Sequence, residues 1–457
     1  MTGEATDDAG TIAARIERLP LSRWHVRVRL LIGLVTFFDG FDQLLIAYAL
    51  PAIRAQYTLD TADVTLTITA GSVGMLVGAA LSGWLADRAG RVRTLTWCLL
   101  LYALTSVLAA AAPDVGWVQG ARFLQGIGIG GEVLVAAAYV NEIVGAGRRG
   151  RFVLVYELAF VFGLAAASLV SAWVVPAFGW RVLFLVGALP VVLAFVLPRQ
   201  VPESPRWLAA RGRTAEAAGI VDELERRARA QFGTLPEVTP VAVAPARRPR
   251  LADLFTGRYL RRTLVVSVLW FVAFLVNYGL TSWLPTLYAT VYRLPLDTAL
   301  RYSVVTMAAG LIGCVVLALT VDRVGRRPAM AVCLLGGALV LGVAAWVSPG
   351  TGLGVMLFVS AASVFVFAVN LGLNLYGPEL YPTRSRALGA SVGGIFARLG
   401  VIAGPLLTGA LVGTGSAGGG GIAPVFTALA VASGVAGLVL VLFGVETARR
   451  PLETLSP

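Results

Sequence analysis

The chain has 457 residues, of which 57% are hydrophobic and only 14% charged, and a formal net charge of +12. A soluble protein of this length would divide into two or three domains with a far more charged surface, so the composition excludes that class. Every basic residue is arginine. Nearly all of these arginines fall on segments that would face the cytoplasm if both termini do, so the basic excess reads as a positive-inside signal and no nucleic-acid partner is expected.

Residues 1–27 are charged and lack the short apolar core and small-residue cleavage site of a signal peptide. They read as a cytoplasmic N-terminal segment. Apolar runs of lipid-spanning length then recur along nearly the whole chain. They are continuous rather than alternating, which excludes a barrel and predicts an all-α membrane protein. Twelve transmembrane helices are expected. The first six run roughly 28–52, 65–86, 94–112, 117–143, 152–176 and 180–198. A cytoplasmic linker spans 199–261, with the amphipathic stretch AEAAGIVDELERRARA and the Pro-rich PEVTPVAVAPARRPR. The second six run roughly 262–290, 299–321, 328–347, 352–379, 387–412 and 422–444, with GTGSAGGGG as a flexible external loop before the last. Residues 445–457 form a cytoplasmic tail. The two sets of six, 28–198 and 262–444, are the expected bundles.

The three cysteines, Cys98, Cys314 and Cys333, lie inside apolar runs without metal-ligand spacing, and the single histidine, His25, precedes the first span. Redox, zinc and triad chemistry lack their usual parts, so neither enzymatic activity nor a cofactor or metal is expected.

The halves repeat. LADRAGRVR after span 2 has its counterpart in TVDRVGRRP after span 8, and Asp87 to Asp322 is an offset of about 235 residues. NEIVGAGRRGR after span 4 matches PELYPTRSRALG after span 10, and Glu142 to Glu379 is an offset of about 237. Two motifs at nearly one spacing point to duplication of a six-helix unit, the expected design of an alternating-access carrier with a midplane site.

At this point the chain resembles the major facilitator superfamily over almost its whole length. The inter-span signature stands as Gly83-Trp-Leu-Ala-Asp87-Arg88-Ala-Gly90-Arg91. RFLQGIGIGGE (Arg122 to Glu132), PESPRWL (Pro202 to Leu208) and PELYPTRSR (Pro378 to Arg386) resemble the sugar-porter-related branch. FFDGFDQLLIAYALP in span 1 is similar to the aromatic acid:proton symporters, and GGE with YVNE in span 4 to bacterial niacin transporters. The resemblance implies two pseudo-symmetric six-helix bundles, a small-molecule substrate, a bacterial cytoplasmic (inner) membrane with both termini cytoplasmic, and a monomer in the lipid bilayer.

Three sets of residues follow. Asp87, Arg88 and Arg91, Glu142 with Arg151, Asp322 with Arg326, and Glu379 with Arg384 are placed to close the cytoplasmic face as a gate. Asp42 fills the place of the span 1 aspartate to which sugar porters owe proton coupling, through its pairing with the span 4 arginine, here Arg122. At 1.5 Å per residue, Asp42 lies about 15 Å below the outer end of its span, within reach of the long Arg122 side chain. An aspartate beside an arginine stays ionised, and one parted from it in a dry cavity takes a proton. Asp39, one turn away, and Glu132 are further proton-coupling candidates, and which aspartate titrates is open.

The third set is the substrate site. Hydroxyl-binding positions of the sugar porters are replaced here by Glu157, Leu275, Val276 and Asn374. Arg398 sits within an otherwise apolar span 11, where centring a guanidinium costs about 2.5 kcal/mol or more. With Phe38, Phe41, Asn277, Tyr278, Trp283, Asn370, Asn374 and Tyr376 it suits a small aromatic carboxylate, as a fork for two oxygens beside flat walls. Its partner is either that substrate or Glu132 or Glu157 in a structural pair. The expected function is proton-coupled import of such an acid, nicotinate first. Benzoate-type acids, organic cations and sugars are the alternatives, and a non-transporting receptor is the rival of another class.

Overall fold

A computed structural model describes residues 3–238, 254–381, 386–418 and 422–447. All described secondary structure is helical. Among the described residues, twelve helices are long and apolar enough to cross a membrane. Spans 1–6 are Arg23–Tyr57, Thr61–Ala89, Arg91–Ala110, Val115–Ile143, Leu158–Phe178 and Trp180–Gln200. Spans 7–12 are Tyr259–Thr290, Leu296–Val324, Arg326–Val347, Gly352–Glu379, Leu388–Val412 and Ala423–Phe443. Most run past the apolar core of the sequence pattern, because intrahelical hydrogen bonds carry the helix on into polar flanks.

Two spans are broken where proline removes an amide donor. Span 6 divides into Trp180–Gly187 and Val191–Gln200 around Pro190, and span 7 into Gly257–Thr281 and Leu284–Thr290 ahead of Pro285. Side-chain oxygens cap other helix starts. Asp114 accepts the Trp117 amide at 2.8 Å, and Thr351 that of Gly354 at 3.2 Å.

The chain gathers into two compact units, one of Met1–Gln43, Val73–Ala167 and Phe184–Arg247, the other of Leu44–Ser72, Ser168–Leu183 and Arg248–Pro457. Lipid tails are as apolar as the helices, so association inside a bilayer depends on close packing at small residues. In the first unit, span 1 meets span 5 backbone to backbone. A Cβ at Gly40 would lie 2.2 Å from the Phe160 carbonyl oxygen, and one at Gly163 would lie 1.9 Å from that of Phe37. Spans 2 and 4 meet in the same way, at Gly74 against Phe123 and Gly130 against Met75. In the second unit, Gly400 and Gly404 of span 11 lie on the Phe271 and Leu275 carbonyls of span 7, and Gly313 of span 8 lies on Val364 of span 10. The 1–5 and 2–4 pairings of the first half thus recur as 7–11 and 8–10, the structural counterpart of the sequence repeat.

Outside the membrane segments the first unit holds more order than its sequence suggested. The N-terminal segment forms a helix, Gly3–Glu17, which buries Ile12 and Ile16 with Trp207, Leu208 and Val221 of the linker helices Pro205–Ala210 and Thr214–Phe232. The two isoleucines stand four apart, on one face. Glu225 is buried beneath Arg15 at 2.9 Å, Arg18 at 2.7 Å and Arg229 at 3.0 Å, and Arg206 reaches Glu17 at 2.6 Å. The expected loop GTGSAGGGG is helical as far as Gly418, since span 11 continues in the helix Arg386–Gly418, and 419–421 lie outside the described residues.

Two outcomes follow from this packing. Gly163→Ala forces apart spans 1 and 5 and is expected to cost about 1–3 kcal/mol, read as a lower thermal-unfolding temperature in detergent. Gly120→Ala, where a Cβ meets nothing within 4 Å, should not lower that temperature and should raise it slightly through helix propensity. Burial pushes the Glu225 carboxyl up, but hydrogen bonds and charge from Arg15 and Arg18 outweigh it and hold it below the usual carboxylate value. A carboxyl depressed in the folded state contributes stability above its unfolded value and loses it as pH falls through the folded one. Hydrogen exchange in residues 10–17 should therefore accelerate on acidification below the carboxylate range, and Glu225→Gln should remove that pH dependence.

Candidate functional site

The first buried constellation lies in spans 1, 3 and 4. Asp42 is 0% exposed and Arg122 4%. Arg122 donates from Nη1 to Asp42 Oδ2 at 2.9 Å and to Gln125 Oε1 at 2.7 Å. Gln125 donates from Nε2 to Asp42 Oδ1 at 2.7 Å and to Ser106 Oγ at 2.5 Å. Both Asp42 oxygens are therefore satisfied, which a carboxylate away from water requires. Arg122 and Gln125 are three residues apart on one helical face, so span 4 presents both to span 1 together. Arg122 grips Asp42 through one nitrogen only, and its Nε has no hydrogen-bond partner among the described residues. A single contact with a spare donor is a pair that can be opened.

The other two acids of the set sit together. Asp39 and Glu132 are both 0% exposed, and their carboxyl groups interact with each other across spans 1 and 4. Glu132, offered above as a partner for Arg398, is thus engaged with Asp39. Phe38 packs half-buried against the core of this unit, 6.3 Å from the buried Phe41 ring.

The loop charges form one device in each half. In the first, Arg91 bonds Asp87 at 2.9 Å and Glu142 at 3.0 Å. The Glu203 carboxylate accepts the amides of Arg91 at 2.9 Å and Val92 at 3.2 Å, at the start of span 3. Helix N-termini favour such an anion, since their first amides lack partners and carry the positive end of the dipole. Gly90, at φ 107°, makes room for it, because a Cβ there would lie 2.3 Å from Glu203 Oε2. In the second half, Arg326 bonds Asp322 at 2.8 Å and Glu379 at 3.4 Å. Glu446 accepts the amides of Arg326 at 3.0 Å and Arg327 at 3.1 Å, beside Gly325 at φ 102°. Glu142 and Glu379 were expected to pair with Arg151 and Arg384. The structure gives them Arg91 and Arg326, while the Arg151 side chain and Arg384 lie outside the described residues. Arg88 stands apart from the network, its guanidinium 4.1 Å over the Trp84 ring.

Sequence reasoning missed Glu203, Glu446, Gln125 and Ser106. Glu203 stood within PESPRWL, and Glu446 follows it at an offset of about 243, close to that of the other repeated charges.

Arg398 is placed differently from Arg122. Gly393, Gly400 and Gly404 turn one face of span 11 to span 7, and at 100° per residue Arg398 lies on another. Its Nη1 donates to Gly394 O of its own helix at 3.2 Å, and it makes no ion pair among the described residues. The Glu157 side chain lies outside them. Tyr278 joins a stacked ladder with Phe274 and Trp270, at centroid spacings of 6.0 and 5.5 Å, and Asn277 is buried beside it. The i, i+4 spacing of this ladder was readable in the sequence. Asn370 Oδ1 is buried without a hydrogen-bond partner among the described residues, and the exposed Asn374 donates to the Asn370 carbonyl at 3.3 Å. Trp283 and Tyr376 are fully buried with their polar atoms committed to backbone, Trp283 Nε1 to Pro405 O at 3.0 Å and the Tyr376 hydroxyl to Val445 O at 2.8 Å. They knit helices together and have no polar atom to spare for a ligand.

The family model of the Major Facilitator Superfamily matches residues 32–405. The chain belongs to that superfamily. It is 32% identical over 451 residues to a niacin transporter of Acinetobacter baylyi, covering 97% of this chain and 99% of the relative. It is 30% identical over 421 residues to a 4-hydroxybenzoate transporter of Pseudomonas aeruginosa, covering 88% of this chain and 90% of the relative. In fold it is similar to the partially occluded inward-open xylose transporter of E. coli, with a TM-score of 0.70, 20% identity and coverage of 94% of this chain and 100% of that one. This superfamily member has the all-α fold of twelve membrane helices in two six-helix bundles, as a multi-pass membrane protein. It is a transporter of a small molecule and not an enzyme.

The capping carboxylates supply a test of the repeated device. Glu203→Ala and Glu446→Ala should each lower stability by about 0.5–2 kcal/mol, seen as a fall in thermal-unfolding temperature. Equal loss in the two variants is the expected sign of one device used twice, and no loss in either contradicts the capping role.

Proposed function

We propose that this transporter is a proton-coupled, alternating-access importer of a small aromatic monocarboxylate, with nicotinate as its substrate. The observation that carries the reading is Arg398, a guanidinium in a membrane span whose described hydrogen bonding goes no further than its own helix. A cation held in an apolar span without a described ion-pair partner suits a carboxylate arriving as cargo, which would bind it through two oxygens. The buried Asn370 oxygen and the aromatic ladder at Tyr278 supply the acceptor and flat surface that a pyridine ring can use. Similarity to a niacin transporter over nearly the whole of both chains supports the same substrate.

Proton coupling rests on the buried acids of spans 1 and 4, with Asp42 gripped singly by Arg122. Opening that contact leaves a carboxylate in a dry site, where protonation is favoured, and uptake would then follow the proton gradient. The Asp87–Arg91–Glu142 and Asp322–Arg326–Glu379 networks brace the cytoplasmic helix ends and serve as the gate. The arginine distribution supports cytoplasmic termini, and we take the carrier to be a monomer of the bacterial cytoplasmic membrane. Similarity to 4-hydroxybenzoate transporters favours benzoate-type acids as the second reading.

Purified carrier in liposomes is expected to accumulate labelled nicotinate when the outside is acid, and to stop when a protonophore is added. Arg398→Ala should weaken nicotinate binding by about 10- to 100-fold, in line with loss of a charge-assisted bond worth about 1.5–3 kcal/mol, while binding of neutral nicotinamide changes little. Undiminished nicotinate binding in that variant rules out the carboxylate contact. Stronger competition by benzoate or 4-hydroxybenzoate than by nicotinate itself selects the second reading.

A further inference from the structure

Two carboxyl groups facing each other inside a helix bundle pose a charge problem that the Asp42–Arg122 pair does not solve. Asp39 and Glu132 come from spans 1 and 4, are sealed from solvent, and interact as neighbours further along the same two helices from the Asp42–Gln125 contact. Two neighbouring carboxylates repel, and a proton on either one turns the repulsion into a hydrogen bond. The titratable and charged groups described around them are few. Span 1 adds Asp42, span 3 adds Cys98 and Tyr102, and span 4 adds Arg122. Span 2 brings Ser82 close to Cys98 across Gly131, and the helix Ala146–Phe178, which contains span 5, brings the Tyr156 hydroxyl, which accepts from Thr36 at 2.7 Å. Of these, only Arg122 is a cation, and its Nη1 is spent on Asp42 and Gln125.

An independent observation points to the same place. The Tyr102 hydroxyl is fully buried and has no hydrogen-bond partner among the described residues, yet it lies in the electrostatic field of Asp39, Asp42, Glu132 and Arg122 together. Buried hydroxyls are ordinarily hydrogen-bonded, and one left open beside three acids is suited to reach them through a water.

We propose that Asp39 and Glu132 share a proton and form the proton-binding site of the carrier, and that the Tyr102 hydroxyl links this pair to Asp42, which Arg122 and Gln125 hold in place. The site deepens the proton-coupled reading and rests on that reading for its part in transport, though not for the presence of the proton. With one shared proton the pair carries a single negative charge. A second proton, taken from hydronium on one side of the membrane and returned to water on the other, brings the pair to neutrality and back. Only O–H bonds are made and broken, and no electrons are transferred.

Infrared spectroscopy of the full chain in lipid bilayers reads the proton without requiring transport. At neutral pH the wild type should show the carbonyl stretch of a protonated carboxyl, shifted by deuterium exchange. The band should disappear in Asp39→Asn/Glu132→Gln and persist in Asp42→Asn. Absence of the band in the wild type, or its survival in the double variant, overturns the proposal. Glu132→Asp keeps both carboxyls and should keep the band, so its loss there counts equally against the pair and does not depend on the double variant folding. Tyr102→Phe should displace the pH profile of nicotinate uptake by roughly one unit, and an unmoved profile refutes the tyrosine link. Should wild-type uptake ignore a pH gradient while the band is present, the coupling reading fails and the proton site stands.

Discussion

A carboxylate inside a lipid-length helix must be paired, protonated or moved, because the bilayer offers it no water. That constraint organises the first half of this carrier. Asp42 is paired, with both oxygens satisfied by Arg122 and Gln125. Asp39 and Glu132 are set against each other instead. The backbone contact of span 1 with span 5, at Gly40 and Gly163, and that of span 2 with span 4, at Gly74 and Gly130, close the packing around these acids. The same glycines that remove bulk from the interfaces thus also keep water from the charges, and burial is what gives the charges their leverage.

The second organising fact is duplication, which extends to single hydrogen bonds. Asp87, Gly90, Arg91, Glu142 and Glu203 in one half answer to Asp322, Gly325, Arg326, Glu379 and Glu446 in the other. In both, a glycine with positive φ begins a span, and a distant glutamate caps the amides that follow it. The glutamate comes from just after the sixth helix of each half, so the cap ties the last helix of a half back to its third. The exposed aspartates at the turn add little by themselves, as surface ion pairs generally do. The buried backbone cap and the half-buried arginine bear more of the constraint.

Much of this was legible in the sequence, and for identifiable reasons. Twelve spans followed from run length, and the repeat from two motifs at one offset. The Asp42–Arg122 pair was implied by the resemblance to sugar porters, and it fits the intolerance of lipid for lone charges. What escaped notice depended on tertiary proximity without a local signal. Glu446 looked like part of a tail, because nothing in its neighbourhood says that it caps a helix 120 residues earlier. The N-terminal helix was read as a charged segment, since its apolar face is only two isoleucines wide and needs Trp207 and Val221 to make sense. Tyr376 and Trp283 looked like cavity residues because an aromatic with a polar tip fits either role. Their hydroxyl and indole nitrogen are bonded to backbone.

The two arginines of the membrane interior show how a carrier can use one costly residue type for two ends. Arg122 meets its compensation within the protein, in a carboxylate and an amide supplied by neighbouring helices. Among the described residues Arg398 bonds a carbonyl of its own helix, which engages one of its five donors. A guanidinium so placed is costly, and a further acceptor that completes it lowers that cost. The anionic substrate proposed above would do this without any cost to the empty protein beyond the one already incurred, and its binding strength would then come from relieving that strain. A charge fully satisfied in the resting state would leave nothing for the substrate to improve. On the proposed reading the incompletely bonded state of Arg398 would itself be the source of affinity, and the fully bonded state of Asp42 would let a change elsewhere in the cycle be felt at the proposed proton site.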